Sequence, residues 1–340
     1  MAWTPPSLSN VHTSMNGSNV AGSSAFLGAM APEVVPVAHA TEHITVDGRL
    51  SHNDRARLRA IPSYKNAWST VWLFGQNILI LVAAAQLNHL VSWIIAFLLM
   101  GRAHAQFASL MHEAAHRLLF SNKAINDFVG NWILGYFVMT STQAYRRVHM
   151  AHHKREFGPN EPDIPLYANY PVSRASLRRK LIRDATGQTG YKLLRNQFRN
   201  LLSTDARVRH TLWKMIGVQV AIAAAFTLAG YWWMYPVMWV APYLTVWRVI
   251  NRLRSIAEHG GLREDDDRRF TTHSVAQHWG ARFFLVPYSI GFHMAHHVDA
   301  GVPFRHLKEY HRLLHEANYL DDALEYPSYL ALWKSLSSPA

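Results

Sequence analysis

The sequence predicts an all-α integral membrane protein, a four-helix bundle of two transmembrane hairpins with a cytoplasmic helical cap. Three observations lead to this prediction. Two pairs of long apolar segments flank a polar linker, basic residues avoid the tips of both pairs, and most histidines cluster just beyond the apolar segments. Composition alone does not decide the class, because a hydrophobic fraction of 49% suits a globular or a membrane protein.

The N-terminal segment differs in composition from the rest of the chain. Residues 1–45 are rich in Ser, Asn, Ala, Gly and Pro and show no sustained periodicity. They also lack the basic start and apolar core of a signal peptide. We therefore expect a disordered tail over residues 1–45 and one membrane domain over residues 46–340.

The apolar segments are long enough for membrane helices, which need about 20 residues. The four spans are expected at about residues 68–89, 90–111, 211–233 and 235–254. Arg102, His104 and Gln106 interrupt the second span, so they must face protein or reach the interface. Trp and Tyr crowd the tip of the second hairpin, as they do at a membrane interface.

Charge indicates the orientation of the protein in the membrane. The net charge is +12, yet the tips at residues 86–92 and 229–236 contain no Lys or Arg. Under the positive-inside rule the basic linker and both termini are cytoplasmic, with a cap formed by residues 112–210 and 255–340. A nucleic acid partner is not expected, because no zinc-finger, helix-turn-helix or RNA-binding signature accompanies the charge.

Histidine is the strongest chemical signal. The chain has 21 His and no Cys, which excludes iron–sulfur clusters and Cys-ligated zinc. The first box, H-E-A-A-H, places two imidazoles one helical turn apart. The second and third boxes both have the pattern H-M-A-H-H. The box residues are His112, His116, His149, His152, His153, His293, His296 and His297. Imidazole ligands suit Fe, Zn or Cu, and affinity alone does not choose among them.

Other histidines carry weaker signals. His259 follows the fourth span, on the membrane face where the boxes converge, which makes it a further candidate ligand. Six lack a spacing that fits the boxes and are interpreted as ordinary polar residues: His104, His273, His278, His306, His311 and His315. The first box also matches the H-E-x-x-H signature of zinc proteases, an alternative that leaves the other two boxes without a role.

The three boxes, in this order around two apolar hairpins, resemble the membrane fatty acid desaturase family. The resemblance extends to Ala144-Tyr145-Arg146-Arg147 before the second box, Asn160-Glu161-Pro162-Asp163 after it and Val302-Pro303-Phe304-Arg305 after the third. It implies two iron ions held by the eight box histidines, with His259 as the ninth ligand. An Asn found four residues before that lone histidine in animal stearoyl-CoA desaturases is Ser255 here, so its role is not carried over.

The resemblance also implies the reaction. We expect an enzyme that uses O₂ and its two irons to place a double bond in the acyl chain of a lipid, which is an acyl-CoA, acyl-ACP or phospholipid. No heme-binding, flavin or cysteine motif is present, so a separate ferredoxin or cytochrome b5-like protein is expected to supply electrons. A lipid or carotenoid hydroxylase or ketolase would share these ligands. A non-catalytic metal store remains a further alternative. Glu113, Glu258 and Asp163 are candidates to hold ligand imidazoles.

Overall fold

The computed structural model describes residues 27–159, 161 and 163–338. Their regular secondary structure is helical except for an isolated antiparallel bridge between Ile44 and Leu50 and two short strands, β1 (Ser274–Val275) and β2 (Glu325–Tyr326), which pair in parallel. The all-α prediction is therefore confirmed apart from this pair. The α-helices are α1 (His52–Leu58), α2 (Ser63–Leu87), α3 (Leu90–Ala115), α4 (Lys123–Phe128), α5 (Thr142–Lys154), α6 (Ile164–Tyr167), α7 (Arg174–Ala185), α8 (Gln188–Arg199), α9 (Ala206–Leu228), α10 (Ala241–Leu244), α11 (Val246–His259), α12 (Trp279–Phe284), α13 (His293–Val298), α14 (Leu307–Glu316) and α15 (Tyr329–Leu336).

Other helical turns join these elements. The segments Val129–Gly135 and Tyr235–Val240 are π-helical. Short 3₁₀ turns are formed by Tyr136–Val138, Asn200–Leu202, Arg268–Phe270 and Pro287–Ser289. The π-helical and 3₁₀ turns after α4 continue it directly toward α5, so residues 123–138 form one irregular helical segment.

Three helical stretches among the described residues are long and apolar enough to cross a membrane. They are the stretch His52–Leu87, which includes α2, and the helices α3 and α9. Helices α2 and α9 expose large apolar side chains such as Leu79 and Val220, whereas α3 is mostly buried. Exposed apolar surface of this extent suits contact with lipid. Three of the four expected spans are thus candidate membrane helices.

The fourth expected span, residues 235–254, does not form one apolar helix of this kind. It consists of the π-helical turn, α10 and the start of α11, with a break at Thr245, where φ is −118° and ψ is −84°. Pro236 and Pro242 cannot donate backbone hydrogen bonds, and Arg248 lies just past the break. The structure therefore shows three candidate spans and does not show a four-helix membrane bundle.

Helix α3 lies at the centre of the fold. It packs on α2, α5, α10 and α11. Gly101 permits the closest approach, because a Cβ atom added there would lie 2.3 Å from Cβ of Val246 on α11. Small residues allow helix backbones to approach in this way. This packing places the C-terminal turn of α3 beside the helices that carry the other histidines.

The two hairpin tips lie at the same end of the helices. The first tip turns at Asn88, whose φ of 41° ends α2 in the left-handed conformation. Trp93, just inside this turn, contacts Trp233 of the second tip edge to face, with ring centroids 4.9 Å apart. The contact agrees with the expected common placement of the two tips.

The predicted tail is described only in part. Residues 1–26 of the predicted tail lie outside the described residues. Residues 27–45 lie against the helical domain: the backbone N–H of Gly28 donates to the carbonyl of Leu262 at 3.0 Å, and that of His39 donates to the carbonyl of Ala317 at 2.9 Å. Ile44 is buried in the main apolar core.

Candidate metal centre

Nine histidines from four parts of the sequence converge at one place. The last turn of α3 presents His112, and His116 follows as its C-cap. The second box lies on α5, the lone His259 is the last residue of α11, and the third box lies on α13. Helical spacing puts box residues three and four apart on one face. All nine residues that the sequence singled out are brought together, buried or half-buried.

Their ring nitrogens form two neighbouring groups. One group contains His112, His116, His149, His153 and His296, whose nitrogens lie within 4.8 Å of one another. The second group contains His152, His259 and His297, whose nitrogens also lie within 4.8 Å of one another. His293 joins the second group, because its Nε2 lies 3.1 Å from Nε2 of His259 and 3.0 Å from Nε2 of His297.

The Nε2 atoms face one another in both groups. In the first, Nε2 of His149 lies 2.9 Å from that of His116 and 3.0 Å from that of His153. Nε2 of His153 also lies 3.0 Å from Nε2 of His296. A neutral imidazole carries one N–H, so these contacts cannot all be ordinary hydrogen bonds when the protons reside on Nδ1.

Buried partners hold several of those protons on Nδ1. His297 donates from Nδ1 to Oε1 of Glu156 at 2.5 Å, and His152 donates from Nδ1 to Oε2 of Glu161 at 2.8 Å. Nδ1 of His259 donates to the backbone carbonyl of Thr271 at 2.8 Å. Such partners fix the tautomer and turn the Nε2 lone pair toward a metal.

The donor set fits a pair of metal ions. Both ring nitrogens of His112 and Nδ1 of His293 are buried without a hydrogen-bond partner among the described residues. Burial, followed by neighbouring imidazoles, holds the pKa values of His149, His153 and His296 well below their usual range. These rings are therefore neutral near pH 7 and can offer lone pairs. Facing lone pairs repel one another unless a cation lies between them.

The carboxylates that hydrogen-bond to the candidate ligand histidines are not the ones that the sequence predicted. Glu113 accepts a hydrogen bond from the backbone N–H of Phe304 at 3.0 Å, and Glu258 lies 3.7 Å from Nδ1 of His293 while it pairs with Arg254. The histidine partners are instead Glu156 and Glu161, which the sequence reasoning missed as partners. Both follow the second box within eight residues, and Glu161 belongs to the segment that carried the family resemblance.

The position of Glu113 also bears on the protease alternative. In that mechanism the glutamate of H-E-x-x-H acts as a general base beside the metal. Here its Oε1 is engaged by the loop that follows the third box. Glu113 therefore links the first and third boxes, and the protease role has no support in this geometry.

Arg146, from the segment before the second box, closes the end of α3. Its guanidinium donates to the carbonyls of Ala114 and Ala115 at 2.9 and 2.7 Å and to Asp127 at 2.5 Å. The last carbonyls of a helix lack partners within the helix. Arg146 thus stabilises the turn that presents His112 and His116.

Of the six histidines expected to be ordinary polar residues, His306 is the N-cap residue of α14 and the other five fall into two groups. His104, His273 and His278 contact the backbone carbonyls of Trp239, Gly260 and Pro327 respectively. His311 and His315 instead lie with Glu325 in a separate cluster whose ligand atoms are within 4.8 Å of one another. The sequence did not indicate this cluster, because Glu325 lies on β2, outside the helix α14 that carries both histidines.

A cavity of about 490 Å³ lies between α5 and the start of α9. Apolar side chains such as Leu212 and Met215 line one part of it, and Arg147 and Arg207 line another. Tyr145 also lines the cavity, and its ring stacks on His149 with centroids 5.0 Å apart and planes 13° apart. One aromatic ring therefore contacts both the cavity and a histidine of the first group.

Comparison with known proteins agrees with this geometry. The family model described as fatty acid desaturase matches residues 88–329, which include all nine histidines. The protein is also similar to dihydrorhizobitoxine desaturase of Bradyrhizobium elkanii, with 26% identity over 242 residues, covering 66% of this chain and 69% of that protein. The chain belongs to the fatty acid desaturase family, whose members are oxidoreductases, and its histidine clusters are typical of di-iron sites.

Proposed function

We propose that the nine histidines bind two iron ions. His112, His116, His149, His153 and His296 hold one ion, and His152, His259, His293 and His297 hold the other. The observation that carries this proposal is the convergence of their nitrogens in two adjoining groups, with Nε2 atoms 2.9–3.1 Å apart. Membership of the desaturase family supports the choice of iron over zinc or copper.

The proposed reaction is O₂-dependent desaturation of a lipid acyl group. A C–H bond in the middle of an alkyl group has no acidic or polar handle, so hydrogen abstraction with O₂ is the chemistry that the bound irons supply. Glu156, Glu161 and the backbone carbonyl of Thr271 orient three of the histidine ligands by hydrogen bonds to Nδ1. Burial of most of these histidines limits the access of bulk water to the site where the irons would bind.

The cavity beside Tyr145 is the proposed entrance for the substrate. Its apolar lining suits an alkyl group, while Arg147 and Arg207 suit the polar or anionic part of acyl-CoA, acyl-ACP or phospholipid. A second candidate substrate is dihydrorhizobitoxine or a similar small molecule, since that compound names the related desaturase. The cavity is compatible with either.

The remaining parts of the proposal concern the membrane and the redox partner. We propose that the segment 235–254 completes a four-helix membrane bundle with α2, α3 and α9. The tips then lie on the far side, and the metal centre faces the cytoplasm with the basic helices α7 and α8. An external ferredoxin or cytochrome b5-like protein supplies two electrons per turnover at that side.

Product analysis tests the proposed function. The full-length protein, His297→Ala and the exposed control His278→Ala are expressed in a bacterium with a simple lipid profile, with and without added dihydrorhizobitoxine. Mass spectrometry of lipids and small molecules is expected to show a new double bond with the wild type and His278→Ala only. Retention of an oxygen atom from ¹⁸O₂ in the product would instead identify a hydroxylase or ketolase. No new product from iron-loaded protein would contradict the proposal.

A further inference from the structure

A second histidine cluster lies apart from the nine histidines, on the face formed by α14 and β2. His311 and His315 are four residues apart on α14, so their rings share one side of the helix, with centroids 4.8 Å apart. Glu325 on β2 faces both rings: its Oε1 lies 2.9 Å from Nε2 of His311, and its Oε2 lies 3.6 Å from Nε2 of His315. Two imidazoles and one carboxylate thus converge from two elements.

We propose that His311, His315 and Glu325 bind one zinc ion. Two histidines and a glutamate, with water in the fourth position, are an established donor set for zinc. Zinc bonds of 2.0–2.1 Å in tetrahedral geometry separate ligand atoms by about 3.3–3.4 Å. The two histidine–glutamate distances, 2.9 and 3.6 Å, lie on either side of that value. This site is independent of the proposed iron centre.

The nitrogens of the cluster are not fully satisfied by the protein. Nε2 of His315 and Nδ1 of His311 are buried without a hydrogen-bond partner among the described residues. Leaving a buried nitrogen unpaired has a free-energy cost, and a metal ion bound to Nε2 of His315 would remove that cost at this atom. The unpartnered Nε2 of His315 is the atom that faces Glu325. Glu325 itself is oriented by a hydrogen bond from the hydroxyl of Ser274 at 3.0 Å.

Three cationic side chains line the cavity beside the cluster, Arg305, Lys308 and Arg312, and both arginines are paired with other groups. Arg312 pairs with Glu316, and Arg305 donates to Asn66 and to the carbonyl of Lys65. The two guanidiniums beside the cluster are thus engaged elsewhere. A surface cavity of about 610 Å³ adjoins the cluster and gives a route for the ion and for a water ligand.

A bound zinc ion would join two parts of the fold that support the metal centre. It would tie α14 to β2, which pairs with β1 a few residues after Thr271, the partner of His259. Phe292, the residue before His293, packs on the ring of His311 with centroids 5.0 Å apart. Zinc at this position is therefore expected to stabilise the full-length protein whether or not iron is present.

Metal counting tests the proposal. The full-length protein, loaded anaerobically with Fe²⁺ and then equilibrated with Zn²⁺ in the presence of a weak chelator, is compared with His315→Ala, Glu325→Gln and the control His278→Ala. We expect both cluster variants to lose one equivalent of zinc per protein molecule while their iron content stays equal to that of the wild type. His278→Ala is expected to keep the zinc. Unchanged zinc in both cluster variants would overturn the proposal.

A second measurement distinguishes loss of the zinc site from misfolding of a variant. Zinc raises the thermal midpoint of a protein when it binds the folded state alone. We expect Zn²⁺ to raise the midpoint of the wild type and of His278→Ala, and to leave that of Glu325→Gln unchanged. Equal shifts of the thermal midpoint in all three proteins would show that the cluster binds no zinc and is held together by hydrogen bonds alone. If the wild type bound no iron, the proposed iron centre would be contradicted. The difference in zinc content between the wild type and the cluster variants could still be measured.

Discussion

His297 and Glu156 are joined by a 2.5 Å hydrogen bond from Nδ1 to Oε1, and the side chains of both are fully buried. Arg268 donates to the same carboxylate oxygen at 2.7 Å, so the negative charge is compensated from the other side. The ring of His297 is therefore held in one tautomer and one orientation. Its Nε2 is presented to His293 by groups outside the ligand set.

Glu156→Gln is expected to weaken iron binding by about 10–100-fold, because partners of ligating histidines contribute that much to metal affinity. Glutamine keeps the size of the side chain and removes the charge that supports the imidazole. Iron titration of the purified protein with a competing chelator measures the change. Glu264→Gln, at an exposed glutamate that pairs with Arg155, is the matched control. Equal iron affinity in the two variants would contradict the role of Glu156.

Gly101→Ala is expected to destabilise the protein by about 1–3 kcal/mol, the usual effect of overpacking. The added methyl would lie 2.3 Å from Val246, so α3 and α11 must separate. Thermal unfolding in detergent measures this loss. Gly75→Ala on α2 is the control, since a Cβ there meets no atom within 4 Å and alanine favours a helix. A Gly101→Ala protein as stable as Gly75→Ala would show that the two helices do not pack this closely.

Thr211→Trp is expected to abolish product formation while iron content is retained. Thr211 lines the cavity beside Tyr145, and an indole would occupy the space proposed for the substrate. Product yield and iron per protein molecule are measured together. Leu228→Trp, at the exposed far end of the same helix, is expected to be as active as the wild type. Full activity of Thr211→Trp would place the substrate elsewhere.

The ion pair between Asp127 and Arg146 is expected to make the stability of the folded protein depend on pH. Burial tends to raise the pKa of Asp127, but hydrogen bonds from Arg146 and Arg117 outweigh it and lower the pKa to about 2, from an ordinary value of 3.8. Because the folded-state pKa is the lower one, ionised Asp127 stabilises the fold above about pH 4. That contribution is lost as the pH falls from about 4 to about 2.

Asp127→Asn tests this dependence. Its thermal midpoint should be below that of the wild type at pH 6, and the difference should shrink as the pH falls below about 4. Asp322→Asn, at an exposed aspartate, should not show this trend. A constant difference for Asp127→Asn across the pH range would mean that its charge is not what stabilises the end of α3.

The convergence of the nine histidines was predictable from the sequence, because helical spacing and the repeated boxes express local geometry. The same local information predicted α2, α3 and α9, since each is a continuous apolar segment. It did not predict the irregular backbone of residues 235–254, where two prolines and the break at Thr245 interrupt the apolar segment.

Partners distant in the sequence were harder to predict. Glu156 contacts His297 although the two are 141 positions apart in the sequence, and Glu325 contacts His311 from β2, a different element. No spacing rule connects such positions. The acid next to the first histidine, Glu113, was the obvious candidate in sequence, yet the fold directs it to the backbone of Phe304.

The central claim, that nine histidines hold two irons, is tested most directly by counting iron and examining its coupling. Mössbauer spectroscopy and elemental analysis of the full-length protein loaded with ⁵⁷Fe should show two coupled high-spin irons per molecule with nitrogen-rich ligation. His153→Ala and His297→Ala should each lose iron, whereas His278→Ala should retain both ions. One metal per molecule, or two irons that survive both substitutions, would contradict the account.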